Sequence, residues 1–287
     1  MPRDYAFLDC GLGRRLERFA GAVVSRPAPA AGASPALARE VWEAADLRFD
    51  RSGGWRGEIP SGWSVKFGPV VLGLKPAAGG QLGVFPEHAQ AAERLAAWLG
   101  RFPRPAAGLR AVNLFAHAGL LTLWLAAIPG MLEIVHVDAA AGAVRRAREN
   151  ASLSGLEKAP VRWLAEDAMR FLARESRRNR RYDVIALDPP AYGRDGKGGD
   201  WKLERDISGL LALAGRLLAP GGTVCLTCHR RGWDGPALSG LAAESIAGLR
   251  EIETFPLLLR RDGAGEGLAA GQALLGIRGN ASNAGFG

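Results

Sequence analysis

Between residues 109 and 228 the chain switches character at short intervals, and that alternation limits the folds open to it. Five runs have strand character: LRAVNLF (109–115), LEIVHVD (132–138), APVRWL (159–164), YDVIALD (182–188) and GTVCLTC (222–228). Between them lie stretches with helical spacing: LLTLWLAA, AAAGAVRRARENASLSG, EDAMRFLARESRRN and WKLERDISGLLALAGRLL. Strands that alternate with helices predict an α/β fold, a parallel sheet covered on both faces. A further helix is expected over PEHAQAAERLAAWLG (86–100), with Pro86 in its first turn and Gly100 at its end. EIETFPLLL (251–259) and QALLGIRG (272–279), joined by a Gly-rich turn, predict an antiparallel hairpin at one edge.

Residues 1–80 read differently. RLERFAGAVVSRP, ADLRFDRSGGW and WSVKFGPVVLGLKP are short apolar stretches broken by turn residues, and APAAGASP (28–35) reads as a loop. The expected organisation is a small N-terminal β-rich or α+β module over 1–80, an α/β domain over 81–278 and a frayed polar tail over 279–287.

Composition narrows the function classes. With 287 residues and 48% hydrophobic content, the chain can bury one large core and a smaller second one. No stretch reaches the roughly 18 apolar residues that span a bilayer. MPRDYAFLDCG lacks the apolar core of a signal peptide, so a cytoplasmic protein without a membrane partner is expected. Three cysteines are too few for a disulfide framework, and Cys225 and Cys228 have no second pair to complete a zinc site. No His, Cys or Asp spacing argues for metal, and none is expected. A net charge of +8 suits a polyanionic partner, nucleic acid first; an Arg-rich composition without such a partner is the alternative.

An open parallel sheet binds ligands beyond the carboxyl ends of its strands. The first run leads into Ala116, His117, Ala118 and Gly119, and glycine there permits a tight turn close to a ligand. The second ends at Asp138, spaced from Gly119 as a ribose-binding acid would be. The third is followed by Glu166, Asp167 and Ala168, where a carboxylate can accept from an exocyclic amine. The fourth ends in Asp188, Pro189, Pro190, Ala191 and Tyr192. The dinucleotide pattern G-x-G-x-x-G is absent from NLFAHAGLL, so a nucleoside without a pyrophosphate is the compatible ligand.

NLFAHAG (113–119), HVDAAAGAVRRARENASLSGL (136–156) and LDPPAYGRDGKGGDWKLE (187–204) resemble the class I S-adenosylmethionine-dependent methyltransferases. Within them the chain is similar to the rRNA large-subunit methyltransferase I/K-like family, a likeness that extends to GVFPEH (83–88) and LDCGLGRRLERFAG (8–21). The resemblance implies a Rossmann-like fold whose seven-stranded, mostly parallel sheet carries an antiparallel last strand. It implies S-adenosyl-L-methionine as cofactor, with Phe115, Ala116, His117 and Gly119 around its methionine part. Asp138 would bind the ribose, Asp167 and Ala168 would face the adenine, and Phe85 would close one side. Asp188 and Pro189 would lie beside the transferred methyl, with Pro190 and Tyr192 against the target base. Relatives more often read F-A-Y-T-G-G where this chain has FAHAGL, and more often carry glutamine at His88.

Methyl transfer demands positioning and exclusion of water. Asp188 can accept from an exocyclic amine, the prolines hold the turn rigid, and the Tyr192 ring offers a stacking surface. Arg194, Lys197 and Lys202 in GRDGKGGDWK are placed for a polyanion, on a loop expected to close over substrate. RESRRNRR (174–181) reads as a solvated helix end, and His136 as a satisfied sheet histidine. Cys228 has two readings. Beside His229, Arg230 and Arg231 it is a nucleophile for methylation at pyrimidine C5; otherwise it is a small buried residue that ends a strand. The expected activity is methylation of a base in RNA, ribosomal RNA first. The alternatives are a protein or small-molecule acceptor, or an RNA-binding protein with a vestigial cofactor pocket.

Overall fold

The computed structural model describes residues 4–102, 105–194, 200–230, 232–261 and 267–279. The N-terminal part folds as a five-stranded sheet of β1 (Tyr5–Gly11), β2 (Arg14–Phe19), β3 (Ala22–Pro27), β4 (Leu47–Asp50) and β5 (Gly54–Arg56), in that spatial order. A short helix, α1 (Arg39–Glu43), precedes β4, and a separate hairpin, β6 (Ser64–Phe67) and β7 (Val70–Gly73), follows β5. The apolar stretches of the sequence thus fall on hairpin arms. Glu17 and Arg26 lie on opposite strands inside this sheet. The Arg26 Nε donates to Glu17 Oε2 at 2.6 Å and the Tyr5 hydroxyl to Oε1 at 2.9 Å. Burial pushes the Glu17 pKa up, but the Arg26 and Arg15 charges outweigh it and hold the carboxyl below its ordinary value.

The remaining elements follow in order: α2 (His88–Leu99), β8 (Leu109–Leu114), α3 (Leu120–Ala126), β9 (Met131–Asp138), α4 (Ala141–Leu153), β10 (Val161–Ala165), α5 (Ala168–Arg177), β11 (Tyr182–Leu187), β12 (Tyr192–Arg194), β13 (Asp200–Lys202), α6 (Leu203–Leu217), β14 (Leu218–Cys228), α7 (Gly235–Ser245), β15 (Leu249–Arg260) and β16 (Gly267–Arg278). Seven of the strands form one sheet in the order β10-β9-β8-β11-β14-β16-β15. The first five are parallel, and β16 runs antiparallel to both neighbours. The α/β fold and the edge hairpin agree with the sequence.

Strands buried on both faces read as continuous apolar runs, and β11 shows why. Ile185 and Leu187 pack with Phe171, Leu210 and Leu238 of α5, α6 and α7. Val184 and Ala186 pack on the other face with Ala91, Leu95 and Trp98 of α2. A third cluster joins the N-terminal part to the sheet domain: Phe19, Val24, Leu47, Trp63, Leu72 and Leu82 pack with Leu120, Leu123 and Ala151. Asn150 of α4 ties the same seam, accepting from Gly73 N at 2.9 Å and donating to Ala118 O at 2.8 Å.

The sequence places Trp201 and Lys202 at the start of a helix; the chain instead pairs Tyr192–Arg194 with Asp200–Lys202, and α6 begins at Leu203. Cross-strand pairing overrides local propensity there. Residues 195–199, with Lys197, and the tail from 280 lie outside the described residues. Among the described residues no helix is long and apolar enough to cross a membrane.

Candidate functional site

The strand order reverses at β8, which has β9 on one side and β11 on the other. A cavity of about 1050 Å³ opens beyond the carboxyl ends of these strands. Its far walls are Arg15 and Pro27–Ala30 of the N-terminal part and Leu268–Gln272 of β16.

The turn after β8 has a demanding backbone. Phe115 and His117 hold φ of 56° and 47°, and Gly119 holds 90° as it starts α3. A Cβ on Gly119 would come within 2.9 Å of the Ala147 Cβ. Non-glycine residues in this region are strained and persist only where surrounding contacts fix them. Asp138 supplies such contacts: its Oδ2 accepts from His117 N at 2.8 Å and its Oδ1 from Ala140 N at 2.9 Å. Asp167 caps α5 by accepting from Arg170 N at 2.9 Å. Glu166 is held by Arg174 at 2.5 Å.

Phe85, Phe115, His117, Asp138, Asp167, Ala168, Asp188, Pro189 and Pro190 all line this cavity. Ala116 and Gly119 line a small adjoining hollow that shares Phe85, Phe115, His117 and Asp188. Burial pushes the His117 imidazole below its ordinary pKa against the pull of Asp138.

Asp188 is more heavily engaged than its place in the sequence suggests. The Thr227 hydroxyl donates to its Oδ1 at 2.6 Å. His229 Nε2 lies 3.2 Å from Oδ1, and His88 Nε2 lies 3.4 Å from Oδ2. The two imidazole Nε2 atoms are 2.7 Å apart. On its other side His229 Nδ1 meets the Ala270 carbonyl at 2.6 Å. That carbonyl is presented by a bulge: β16 pairs Gly271 with Leu257 and Ala269 with Leu258, so Ala270 is the extra residue. Burial would raise the Asp188 pKa, but the His88 and His229 imidazoles and the Thr227 hydroxyl hold it well below the usual carboxylate range. Burial would lower His229, but its hydrogen bond to Asp188, the carboxylate charge and the Ala270 carbonyl lift it to about 9. Local spacing showed no metal-ligating cluster; among the described residues the fold gathers this one.

Other expected site residues stand apart. Cys228 is 0% exposed, does not line the cavity, and burial pushes its thiol pKa up. This placement favours the buried reading over the nucleophilic one, because a nucleophilic thiol needs access and a lowered pKa. Tyr192 is 68% exposed and does not line the cavity, although its neighbours Ala191 and Gly193 do. Lys202 is exposed on β13 outside the cavity, and Arg194 ends β12.

The cavity also holds residues that sequence reasoning did not assign. Trp201 lies on the cavity wall, donates to the Pro190 carbonyl at 2.7 Å and packs 5.7 Å from Phe115. Glu87 is 5% exposed, lines the cavity and has an Oε2 without a hydrogen-bond partner. The signals were present in the sequence as the departure at His88, the histidine directly after a strand end, and the Trp of WKLE.

Comparison with known proteins agrees with this arrangement. The sequence model of the S-adenosylmethionine-dependent methyltransferase family matches residues 93–253. A ribosomal RNA large subunit methyltransferase I from Aeromonas hydrophila is 32% identical over 117 residues, 41% of this chain and 29% of that protein. A ribosomal RNA large subunit methyltransferase K/L from Methylococcus capsulatus is 32% identical over 139 residues, 47% of this chain and 19% of that protein. The chain thus spans less than a third of the length of either relative. The crystal structure of an S-adenosylmethionine-dependent methyltransferase from Agrobacterium tumefaciens superposes with a TM-score of 0.84 at 32% identity, covering 96% of this chain and 90% of that one. The chain belongs to the S-adenosylmethionine-dependent methyltransferases.

Proposed function

We propose that this methyltransferase modifies a base in RNA, with ribosomal RNA the first candidate, in the cytoplasm. The observation that carries the reading is the convergence of Asp138, Asp167 and Asp188 on one cavity, beyond the carboxyl ends of β9, β10 and β11. The names of the two curated relatives and the net charge of +8 support a nucleic-acid acceptor.

The residues present fit S-adenosylmethionine. The unpartnered, buried Glu87 Oε2 suits the ammonium of a methionine tail, because a buried lone carboxylate oxygen is costly without a donor. When bound, the cofactor supplies an electrophilic methyl group. Asp138 holds the strained turn through His117 N and would hold the ribose; Asp167 and Ala168, on the same cavity, would hold the adenine. Phe85 and Phe115 cover the hollow and exclude water. Pro189 and Pro190 keep the turn after β11 rigid, with Trp201 bracing the Pro190 carbonyl. Asp188 sits beside the His88 and His229 imidazoles and, with the Ala270 carbonyl on the far side of His229, holds that ring in place. Tyr192, exposed beside the cavity mouth, offers a surface for an extruded base. Lys202, exposed on β13, would meet a phosphate, the role the sequence also suggests for Arg194 and Lys197. Residues 1–80 form a module that grips RNA against the domain of residues 81–278.

The test is incubation with S-adenosylmethionine labelled in its methyl group and unmodified ribosomal RNA, followed by nucleoside analysis. Label in one nucleoside is expected. Label confined to protein or small molecules would overturn the RNA reading.

A further inference from the structure

We propose that His88, Asp188 and His229 form a binding site for a divalent first-row transition-metal cation of the zinc or iron(II) type. Only its role rests on the methyl-transfer reading. Two imidazoles and a carboxylate are a recurrent protein ligand set for such ions, with further positions left open to a substrate. Here the three come from the N-terminal end of α2, the end of β11 and the end of β14.

The geometry has the right scale. The contact distances are 2.7 Å between the Nε2 atoms, and 3.2 Å and 3.4 Å from each imidazole to the carboxylate. Metal–nitrogen bonds of about 2.0–2.1 Å place neighbouring ligand atoms roughly 3 Å apart; the 3.2 Å and 3.4 Å contacts are to different oxygens of Asp188, and one ligand atom from each residue lies within 4.8 Å of the others, so side-chain adjustment brings the set around an ion. A proton shared in this cluster satisfies one pair of lone pairs at a time, whereas a central cation satisfies all three groups.

The surroundings are those of a prepared site. A metal-bound imidazole usually gives its other N–H to a carbonyl or carboxylate, which fixes the tautomer and the ring plane. His229 Nδ1 meets the bulged Ala270 carbonyl at 2.6 Å, leaving Nε2 turned toward the cluster. The Thr227 hydroxyl holds the carboxylate at 2.6 Å. Gly271 keeps this arrangement possible, because a Cβ there would lie 2.9 Å from His229 Nδ1 and 2.6 Å from the Cys228 carbonyl. All three ligand residues line the large cavity, so an open coordination position faces the acceptor. An ion so placed binds an ionisable oxygen or nitrogen of the acceptor, whose proton leaves to solvent. The acceptor class is thus an O–H or N–H group rather than a carbon.

The full chain, without a histidine tag and stripped by chelator, should be titrated with Co²⁺. We expect one equivalent to bind, with visible d–d bands, no thiolate charge-transfer band, and displacement by Zn²⁺. X-ray absorption on the unaltered protein should show imidazole scattering and no sulfur, a readout that needs no variant. His88→Gln and His229→Gln should each weaken binding at least about tenfold, the loss that even an outer partner of a ligand causes. Failure to take up one equivalent, sulfur ligation, or unchanged affinity in both variants would overturn the site. RNA methylation is scored separately: its failure in protein that binds cobalt sinks the RNA reading and leaves the metal site standing.

Discussion

A thiol attacks carbon as a thiolate with an open path, and at Cys228 burial works against both. It ends β14 in the core with Ile185, Leu226 and Leu274, and burial disfavours its charged form. Cys228→Ala should therefore keep methyl transfer within about threefold of the parent rate, whereas loss of a true nucleophile would abolish it. Trapping of a covalent protein–RNA adduct by the parent chain would contradict this. His136 makes a different residue-scale claim. Its ring is fully buried in β9, shares a hydrogen bond of 2.9 Å with Thr122, and has no partner at Nε2 among the described residues. Burial lowers its pKa to about 3. In the unfolded chain imidazole titrates near 6.5, so above that pH neither state binds the proton and the group is silent. Below it the unfolded state binds a proton that the folded state refuses, and stability falls by about 1.4 kcal/mol per pH unit until roughly pH 3. Between pH 7 and pH 5 the parent should lose about 2 kcal/mol more than His136→Gln, measured by urea unfolding. Parallel losses in both proteins would show that the imidazole does not resist protonation.

At the scale of elements, the turn from β8 into α3 sets the cofactor loop. Gly119 holds a φ of 90° against Ala147. Gly119→Val adds a β-branched side chain to a left-handed backbone and a clash, a strain on the order of 1–3 kcal/mol. The expected result is about tenfold or greater loss of S-adenosylmethionine affinity by calorimetry, with a lower melting temperature. An unchanged affinity would mean that the loop does not shape the cofactor pocket. How far these elements were legible follows from the same physics. Parallel strands buried on both faces announce themselves as apolar runs, and their carboxyl ends locate the crevice, so Asp138, Asp167 and Asp188 could be found from sequence. The His88–His229 contact joins positions 141 residues apart and depends on the Ala270 bulge, which leaves no local pattern. Trp201 was hidden for a related reason: its neighbours favour helix, and only pairing across to Gly193 draws it into a strand on the cavity wall.

At the scale of the molecule, the question is whether residues 1–80 are an appendage or part of the enzyme's body. The sequence marks a change of composition near residue 80, which suggests a separable unit. The packing argues otherwise. Leu120 and Leu123 of α3 and Ala151 of α4 are buried against Phe19, Trp63, Leu72 and Leu82. Asn150 of α4 and Ser154, its C-cap, bond to the backbone of β7, and Arg15 with Pro27–Ala30 closes the cavity. Removing the N-terminal part would expose those leucines, at about 1.5–3 kcal/mol for each fully buried side chain, and would leave the Asn150 side-chain oxygen without its Gly73 N–H donor. That is a large share of a typical domain stability of about 5–15 kcal/mol. A chain beginning at residue 81 should therefore be insoluble, or should bind hydrophobic dye and fail to bind S-adenosylmethionine. If it instead purifies as a folded monomer with the parent's cofactor affinity, the module is an appendage, and its contribution must be sought in RNA binding alone.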